Sequence, residues 1–211
     1  RVPISDAVVS NFLAGAGVGH LITVALHSLQ SQQAVPIPWD NLPAKRVLLP
    51  EIERLPYDDV TIVSPDLVGS TRSSNYAHTL VTNFATLYKE HNGDGDEGVT
   101  MLGINGSVEG RDCVMVDDII DTAGTIVKGS EILLKNGARS VSVVATHGVF
   151  SRQAIANLND SPIERVIVTD TVRTRSEVRN SPKFKVVTVA PIIAQAIYSN
   201  HTGGSVSSAL F

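Results

Sequence analysis

Cysteine is almost absent from the sequence: Cys113 is the one thiol, so no internal disulfide can form. It sits in an apolar run, where a small buried thiol is the expected reading, and a reducing, cytoplasmic compartment fits that usage. Long hydrophobic runs are also lacking. The most apolar stretch, residues 12–26, is interrupted by Gly15, Gly17, Gly19 and His20 and falls short of the roughly 20 residues a membrane helix needs. Neither a transmembrane helix nor a signal peptide is expected, which speaks against a membrane partner. There is no Lys/Arg run either: 17 basic against 21 acidic side chains leave a net charge of −4, with no footprint for tracking a nucleic-acid backbone. No internal repeat is evident. The chain opens at Arg1 rather than Met, as a processed chain or a start inside a longer protein would.

What is there describes a well-cored chain, with 43% hydrophobic and 18% charged residues among 211. That balance excludes a disordered chain. Short β-rich runs alternate with helical stretches, the pattern of a parallel sheet wrapped by helices. Ser5 or Asp6 can cap a helix running to about Gly15, and residues 20–26 read as a buried strand. Further strands are expected over 60–64, 84–88, 113–116, 141–145, 165–169 and 185–189, with helices over 71–83, 125–135 and 191–199. The helix ending at Lys135 stops at Asn136-Gly137, where glycine can take the left-handed cap. The fold class is α/β, a doubly wound parallel sheet flanked by helices. Residues 30–43, polar and proline-rich around Trp39, and residues 89–99, KEHNGDGDEGV, read as loops, the second a mobile one. The Gly/Ser-rich tail from Thr202 ends in an apolar Leu210-Phe211 that could dock.

The chemistry concentrates in CVMVDDIIDTAGTI, residues 113–126. An apolar strand delivers Asp117 and Asp118 to the carboxyl edge of the sheet, where open α/β folds bind ligands. Asp121, Thr122, Ala123, Gly124 and Thr125 follow at a helix start. The backbone amides of residues 122–125 can form a concave nest at the positive end of that helix, with two threonine hydroxyls as extra donors, and a phosphate fits there. Asp117 and Asp118 would repel a phosphate, but they can accept hydrogen bonds from vicinal sugar hydroxyls or hold Mg²⁺ through water. A phosphorylated ribose satisfies both halves. The bland alternative is an ordinary strand-turn-helix in which Asp121 caps the helix.

Every position from Cys113 to Thr125 resembles the fingerprint shared by type I phosphoribosyltransferases and ribose-phosphate diphosphokinases, which consume or make 5-phosphoribosyl 1-diphosphate (PRPP). The remaining blocks are similar to the diphosphokinase family, also called PRPP synthetases, in corresponding order along the whole chain. They are RVPISDAVVSNFLAGAGVGHLITVALHSLQ, PIPWDNLPA, VSPDLVGSTR, GARSVSVVATHGVFS, ERVIVTDTV and GGSVSSALF. The resemblance implies a phosphoribosyltransferase-like fold and transfer of the β,γ-diphosphoryl group of ATP to the anomeric hydroxyl of ribose 5-phosphate, giving PRPP and AMP. It implies Mg²⁺, with His27 and Asp66 near the metal and ATP, and a diphosphate loop containing Gly69 and Arg72. It places Lys89 and His91 at the start of a catalytic loop, with His91 where the family carries an arginine, a change that gives up the guanidinium fork. Val68 fills the place of a family glycine and Ala25 that of an aspartate. Ser205, Val206, Ser207 and Ser208 match a turn that in many members takes a regulatory phosphate or ADP.

The family also implies a homo-oligomer, dimer or hexamer, and two similar domains of which most of the first precedes Arg1. The expected division is residues 1–43 as the remainder of an N-terminal domain, 44–190 as the phosphoribosyltransferase-like domain, and 191–211 as a helix and tail. Two other readings stand beside the synthetase. One is a catalytically silent, synthetase-associated regulatory subunit, suggested by His91 and Val68. The other is a PRPP-consuming phosphoribosyltransferase, which needs a base-specific hood that the sequence does not display.

Overall fold

The computed structural model describes residues 5–28, 32, 37–92 and 99–210. They fall into two units, one comprising Arg1–Arg46 with Val189–Phe211 and the other Val47–Thr188. The first contains helix α1 (Ser5–Gly15) and strands β1 (Leu21–Val24) and β2 (Trp39–Leu42), paired in parallel with Leu21 opposite Trp39. The expected strand over residues 20–26 is therefore shorter and only half-buried. Trp39 lies in a strand rather than a loop because its indole N–H donates to Thr23 Oγ1 at 2.9 Å, a long-range bond that local composition does not reveal. The expected loop residues 30, 31 and 33–36 lie outside the described residues.

The second unit is built on seven strands. After α2 (Lys45–Glu53) come β3 (Val60–Ser64), α3 (Ser70–Leu80), β4 (Asn83–Asn92), β5 (Val99–Asn105), β6 (Asp112–Ile120), α4 (Gly124–Lys135) and β7 (Ser140–Gly148). Then follow α5 (Ala154–Asp160), β8 (Arg165–Thr169), α6 (Ser176–Asn180) and β9 (Phe184–Val187). The sheet order is β5-β4-β3-β6-β7-β8-β9, parallel throughout except for β5 on β4. Parallel strands covered on both sides must be apolar on both sides, and β6 and β7 are buried almost end to end. Their inward residues Cys113, Met115, Val141, Val143 and Ala145 form the core with Leu133 of α4 and Leu158 of α5. Burial pushes the Cys113 thiol up to about 12, so it is an inert core group.

Two elements depart from the sequence reading. β4 does not stop at Tyr88 but continues through Lys89 and His91 to Asn92, and β5 was not expected. Antiparallel pairing, from Thr86 opposite Asn105 to Asn92 opposite Val99, supplies backbone hydrogen bonds that polar side chains do not advertise. Residues 93–98 lie outside the described residues, as do the side chains of residues 89–102. Among the described residues no helix is long and apolar enough to cross a membrane.

The helix ends follow capping chemistry. Gly137 takes φ +87° after α4, and the N–H of Ala138 bonds Leu133 O at 3.0 Å, closing the helix as the Asn-Gly pair predicts. After α3 the same turn falls on Val81, at φ 53° and ψ 48° and 92% exposed. A β-branched residue in the left-handed region is strained and here gains no packing in return. Val81→Gly is expected to stabilise the fold by about 1 kcal/mol, less what glycine adds to the unfolded chain's entropy. Urea unfolding should show a higher midpoint with the slope unchanged, and a lower midpoint would remove the argument.

The first unit is completed by α7 (Ala190–His201) and α8 (Val206–Leu210). His20 ties it together, with Nε2 2.8 Å from Asp40 Oδ2 and Nδ1 3.1 Å from Asn200 Oδ1. The Ser-rich tail is helical from Val206: Ser205 Oγ accepts from the Ser208 N–H at 3.1 Å, Val206 is buried, and Arg46 donates to Ala209 O.

Candidate functional site

From β3 the chain moves outward through β4 and β5, then returns on the other side of β3 as β6, so the strand order reverses between β3 and β6. Open α/β sheets bind ligands at the carboxyl ends of strands at such a point. Two loops meet there, residues 65–69 after β3 and residues 121–123 after β6. They enclose a cavity of about 170 Å³ whose lining includes Asp66, Asp117, Asp121, Thr122, Gly124 and Thr125. The structure therefore brings together most of the sequence-derived site.

The floor is a backbone nest. Ala123 holds φ 64° and ψ 2°, so the chain passes from left-handed to right-handed conformation as α4 begins at Gly124. That alternation turns successive N–H groups to one side. The N-cap position is Ala123 with no side-chain cap, so Asp121 does not cap the helix, and the first-turn amides of this 12-residue helix are placed where an anion could bind. The nest is braced from β7: Val149 and Phe150 donate to Ile120 O at 3.0 and 3.1 Å, and Ser151 to Asp121 O at 3.0 Å. To do so the chain holds Phe150 at φ 50° and Arg152 at φ 53°, strain of the kind that persists where surrounding structure over-determines it. Sequence reasoning missed this brace, and nothing in GVFSR signals it.

Two carboxylates stand near the end of β6, Asp117 in the lining of this cavity and Asp118 buried beside it. Asp118 Oδ2 accepts from Arg72 at 2.9 Å. Asp117 Oδ1 accepts the Asp118 N–H at 2.8 Å and lies 3.6 Å from the Arg72 guanidinium. Burial first, then hydrogen bonding to Asp118 and the charges of Asp118 and Asp66, push the Asp117 carboxyl up to about 7. Near neutral pH this group is poised to release its proton to solvent when a cation or a donating hydroxyl stabilises its anion. Arg72, placed by α3, is the link that sequence reading did not draw: it touches the acidic pair itself.

Asp66 holds the other wall, its Oδ1 accepting the Gly69 N–H at 2.7 Å. A Cβ on Gly69 would lie 3.3 Å from Ser64 Oγ, a tight contact to which that side chain would have to yield, and 3.4 Å from Asp66 Oδ1. Val68, in the place of a family glycine, is 89% exposed and turned away from this packing.

His27 is exposed in the first unit, whereas Asp66 belongs to the second. Lys89 and His91 have their backbones in β4, opposite Leu102 and Thr100, and their side chains lie outside the described residues. Among the described residues no three His, Cys, Asp or Glu gather as a metal cage. The carboxylate oxygens of Asp117 and Asp118 fit Mg²⁺ in its usual mode, one or two carboxylates with water and substrate phosphate completing the shell.

These features define the class: an open α/β protein with an anion nest and an acidic pair at its topological switch point. A model of the phosphoribosyl synthetase-associated domain matches residues 97–211. Ribose-phosphate pyrophosphokinase 3 of Saccharomyces cerevisiae is 38% identical over 208 residues, covering 98% of this chain and 64% of the yeast protein. The ribose-phosphate pyrophosphokinase of Granulibacter bethesdensis is also 38% identical, over 99% of this chain and 67% of that protein. The crystal structure of phosphoribosylpyrophosphate synthetase from Mycobacterium smegmatis superposes with a TM-score of 0.88 at 31% identity, covering 97% of this chain and 66% of that one. The chain belongs to the ribose-phosphate pyrophosphokinase, or phosphoribosyl synthetase, family. It spans about 64% of the length of the yeast relative.

Proposed function

We propose that this chain takes part in PRPP synthesis as a ribose-phosphate diphosphokinase, with ATP and ribose 5-phosphate as substrates. The observation that carries this reading is the uncapped nest at residues 122–125 sharing a cavity with Asp117, with Asp118 buried beside it. The nest takes the 5-phosphate, and the acidic pair accepts hydrogen bonds from the ribose hydroxyls, which fixes the sugar with its anomeric carbon toward the residue 65–69 loop. The anomeric hydroxyl oxygen then attacks the β-phosphorus of ATP and its proton is released to solvent, while the bond between that phosphorus and the oxygen bridging to the α-phosphorus breaks and AMP leaves. Mg²⁺ supplies charge neutralisation on the transferring group. The protein's share is orientation and charge, in keeping with phosphoryl transfer generally.

Lys89 and His91 carry the catalytic part of this proposal. Lys89→Ala is expected to lower turnover by about 100-fold or more, the scale of losing a transition-state charge, while ribose 5-phosphate binding stays within a few-fold. His91→Arg, which restores a permanent cation, is expected to raise turnover; a fall would remove this reading of residue 91. His27 and Asp66 are assigned to the Mg-ATP side. The residue 205–208 turn is assigned to an ADP or phosphate effector, so a flat response of activity to both withdraws that assignment. A dimer or hexamer is the proposed assembly.

The deciding experiment measures AMP and PRPP from Mg-ATP and ribose 5-phosphate, with a full-length family member as positive control. Stoichiometric AMP and PRPP support the proposal. Ribose 5-phosphate binding without AMP would transfer it to the regulatory-subunit reading, and PRPP consumption in the presence of a free base to the phosphoribosyltransferase reading.

A further inference from the structure

A second cavity, of about 280 Å³, opens on the same unit between α2 and the starts of β8 and β9. Since β6 through β9 run parallel, the ends that open β8 and β9 lie at the sheet edge opposite the nest. Its lining carries Arg54, Arg165, Lys183 and Lys185 against one carboxylate, Glu51; Lys183 has Asp160 as a counter-charge, so the three other cations against one carboxylate leave a surplus of two positive charges in a chain whose net charge is −4.

The arrangement of these charges is specific. Glu51 is buried, and its two oxygens are shared between Arg54, at 2.6 Å, and Lys185. One carboxylate thus fixes two cations in place while neutralising only one. Lys183 spends its three donors on the carbonyls of Leu158, Asn159 and Ser161 at the end of α5, at 2.6, 3.0 and 2.8 Å, so it offers the cavity no free donor. Arg165, the first residue of β8, is exposed and has no carboxylate partner among the described residues. Beneath the cations the lining turns apolar at Leu55, Pro56 and Ile167.

Ion pairing for its own sake does not call for this surplus. Unneutralised cations held around one cavity repel each other, and a bound anion is what converts that repulsion into affinity. Preorganised guanidinium and ammonium groups favour a phosphoryl dianion, and an apolar wall favours an organic group esterified to it. The volume lies just below the ~300 Å³ at which drug-sized ligand pockets begin, which suits a small ester and excludes a dinucleotide. We propose that this cavity is a second anion site, taking the phosphoryl group of a small phosphate monoester on Arg54, Arg165 and Lys185, separate from the nest and independent of the function proposed above.

Two probes distinguish the ester from free phosphate: phenyl phosphate and inorganic phosphate, titrated into the intact chain while backbone amide NMR signals are followed. The amides of residues 165–167 and 184–185 are expected to titrate as a group distinct from those of residues 122–125, with half-saturation at about 1 mM or below. Tighter binding of phenyl phosphate identifies the ester, and equal binding identifies phosphate itself. Arg54→Ala with Arg165→Glu is expected to weaken the first group at least tenfold while residues 122–125 titrate as in the wild type. Both side chains are at the surface, and a wild-type spectrum elsewhere verifies the fold. The proposal is overturned if the residue 165–167 amides do not shift with either probe, or shift equally in the double variant.

Discussion

Asp117→Asn is expected to make the ligand-free chain more stable at pH 8 and a weaker ligand for ribose 5-phosphate. The stability side follows from proton linkage. With its carboxyl pushed from 3.8 to about 7, folded Asp117 holds a proton across a range where the unfolded chain has released it. The contribution is therefore fully present below about pH 4 and lost as pH rises through about 7, and at pH 8 the buried anion works against the fold. The displacement corresponds to at most ~4 kcal/mol, and solvent reaching a side chain that is 19% exposed reduces this to about 2 kcal/mol. Urea unfolding at pH 5 and pH 8 should show the variant gaining at pH 8 and losing most of the wild type's slope between them. Equal stabilities at pH 8 would sink the argument. The binding side follows from the loss of charge-assisted acceptance of the sugar hydroxyls, which predicts at least a tenfold weaker Kd for ribose 5-phosphate.

Gain in stability with loss of binding is the signature of a group kept for function, and the same conflict marks how the sequence could be read. The regular parts were legible because they obey their own periodicity. β3 and β8 fall at the expected residues, and α4 begins one residue before the expected start and ends at Lys135 as expected, because apolar runs and an Asn-Gly stop are local signals. β5 and the extension of β4 were not, since polar residues 89–92 are held by a partner strand rather than by their own propensity. Trp39 was read as loop for the same reason: its bond to Thr23 spans a gap of 16 residues.

The site was legible where the backbone carries it. Residues 122–125 were read as a nest from Thr-Ala-Gly-Thr at a helix start, and the structure puts a left-handed residue there, Ala123, directly before α4. What could not be read were the supports. Ser73 Oγ donates to Val116 O at 2.9 Å, Ser151 N–H reaches Asp121 O, and Arg72 crosses from α3 to the acidic pair. Each joins segments tens of residues apart, and serine or arginine on a helix carries no local mark of such a role.

Arg72→Ala is the most damaging single change expected at the site. The guanidinium lies 2.9 Å from an oxygen of Asp118, whose side chain is 6% exposed, and 3.6 Å from Asp117. Removing it leaves two adjacent carboxylates facing each other at the edge of the core, and breaking a pair in this way costs more than the pair itself contributes. A loss of about 2–4 kcal/mol is expected at pH 8. At pH 5 the loss should be smaller, because Asp117 is then protonated and only Asp118 misses its counter-charge. Arg72→Ala combined with Asp118→Asn should recover part of the loss, so that a double-mutant cycle returns a coupling well above the ~0.5 kcal/mol at which distant sites count as additive. A cycle that closes to zero would make Arg72 a bystander. Its role would then be confined to the ligand, and a variant folding like the wild type yet failing to bind Mg-ATP would show it. With coupling present, Arg72 is held by the acidic pair it neutralises, at 2.9 Å from Asp118 and 3.6 Å from Asp117, and a substitution there tests the fold before it tests the proposed diphosphate contact.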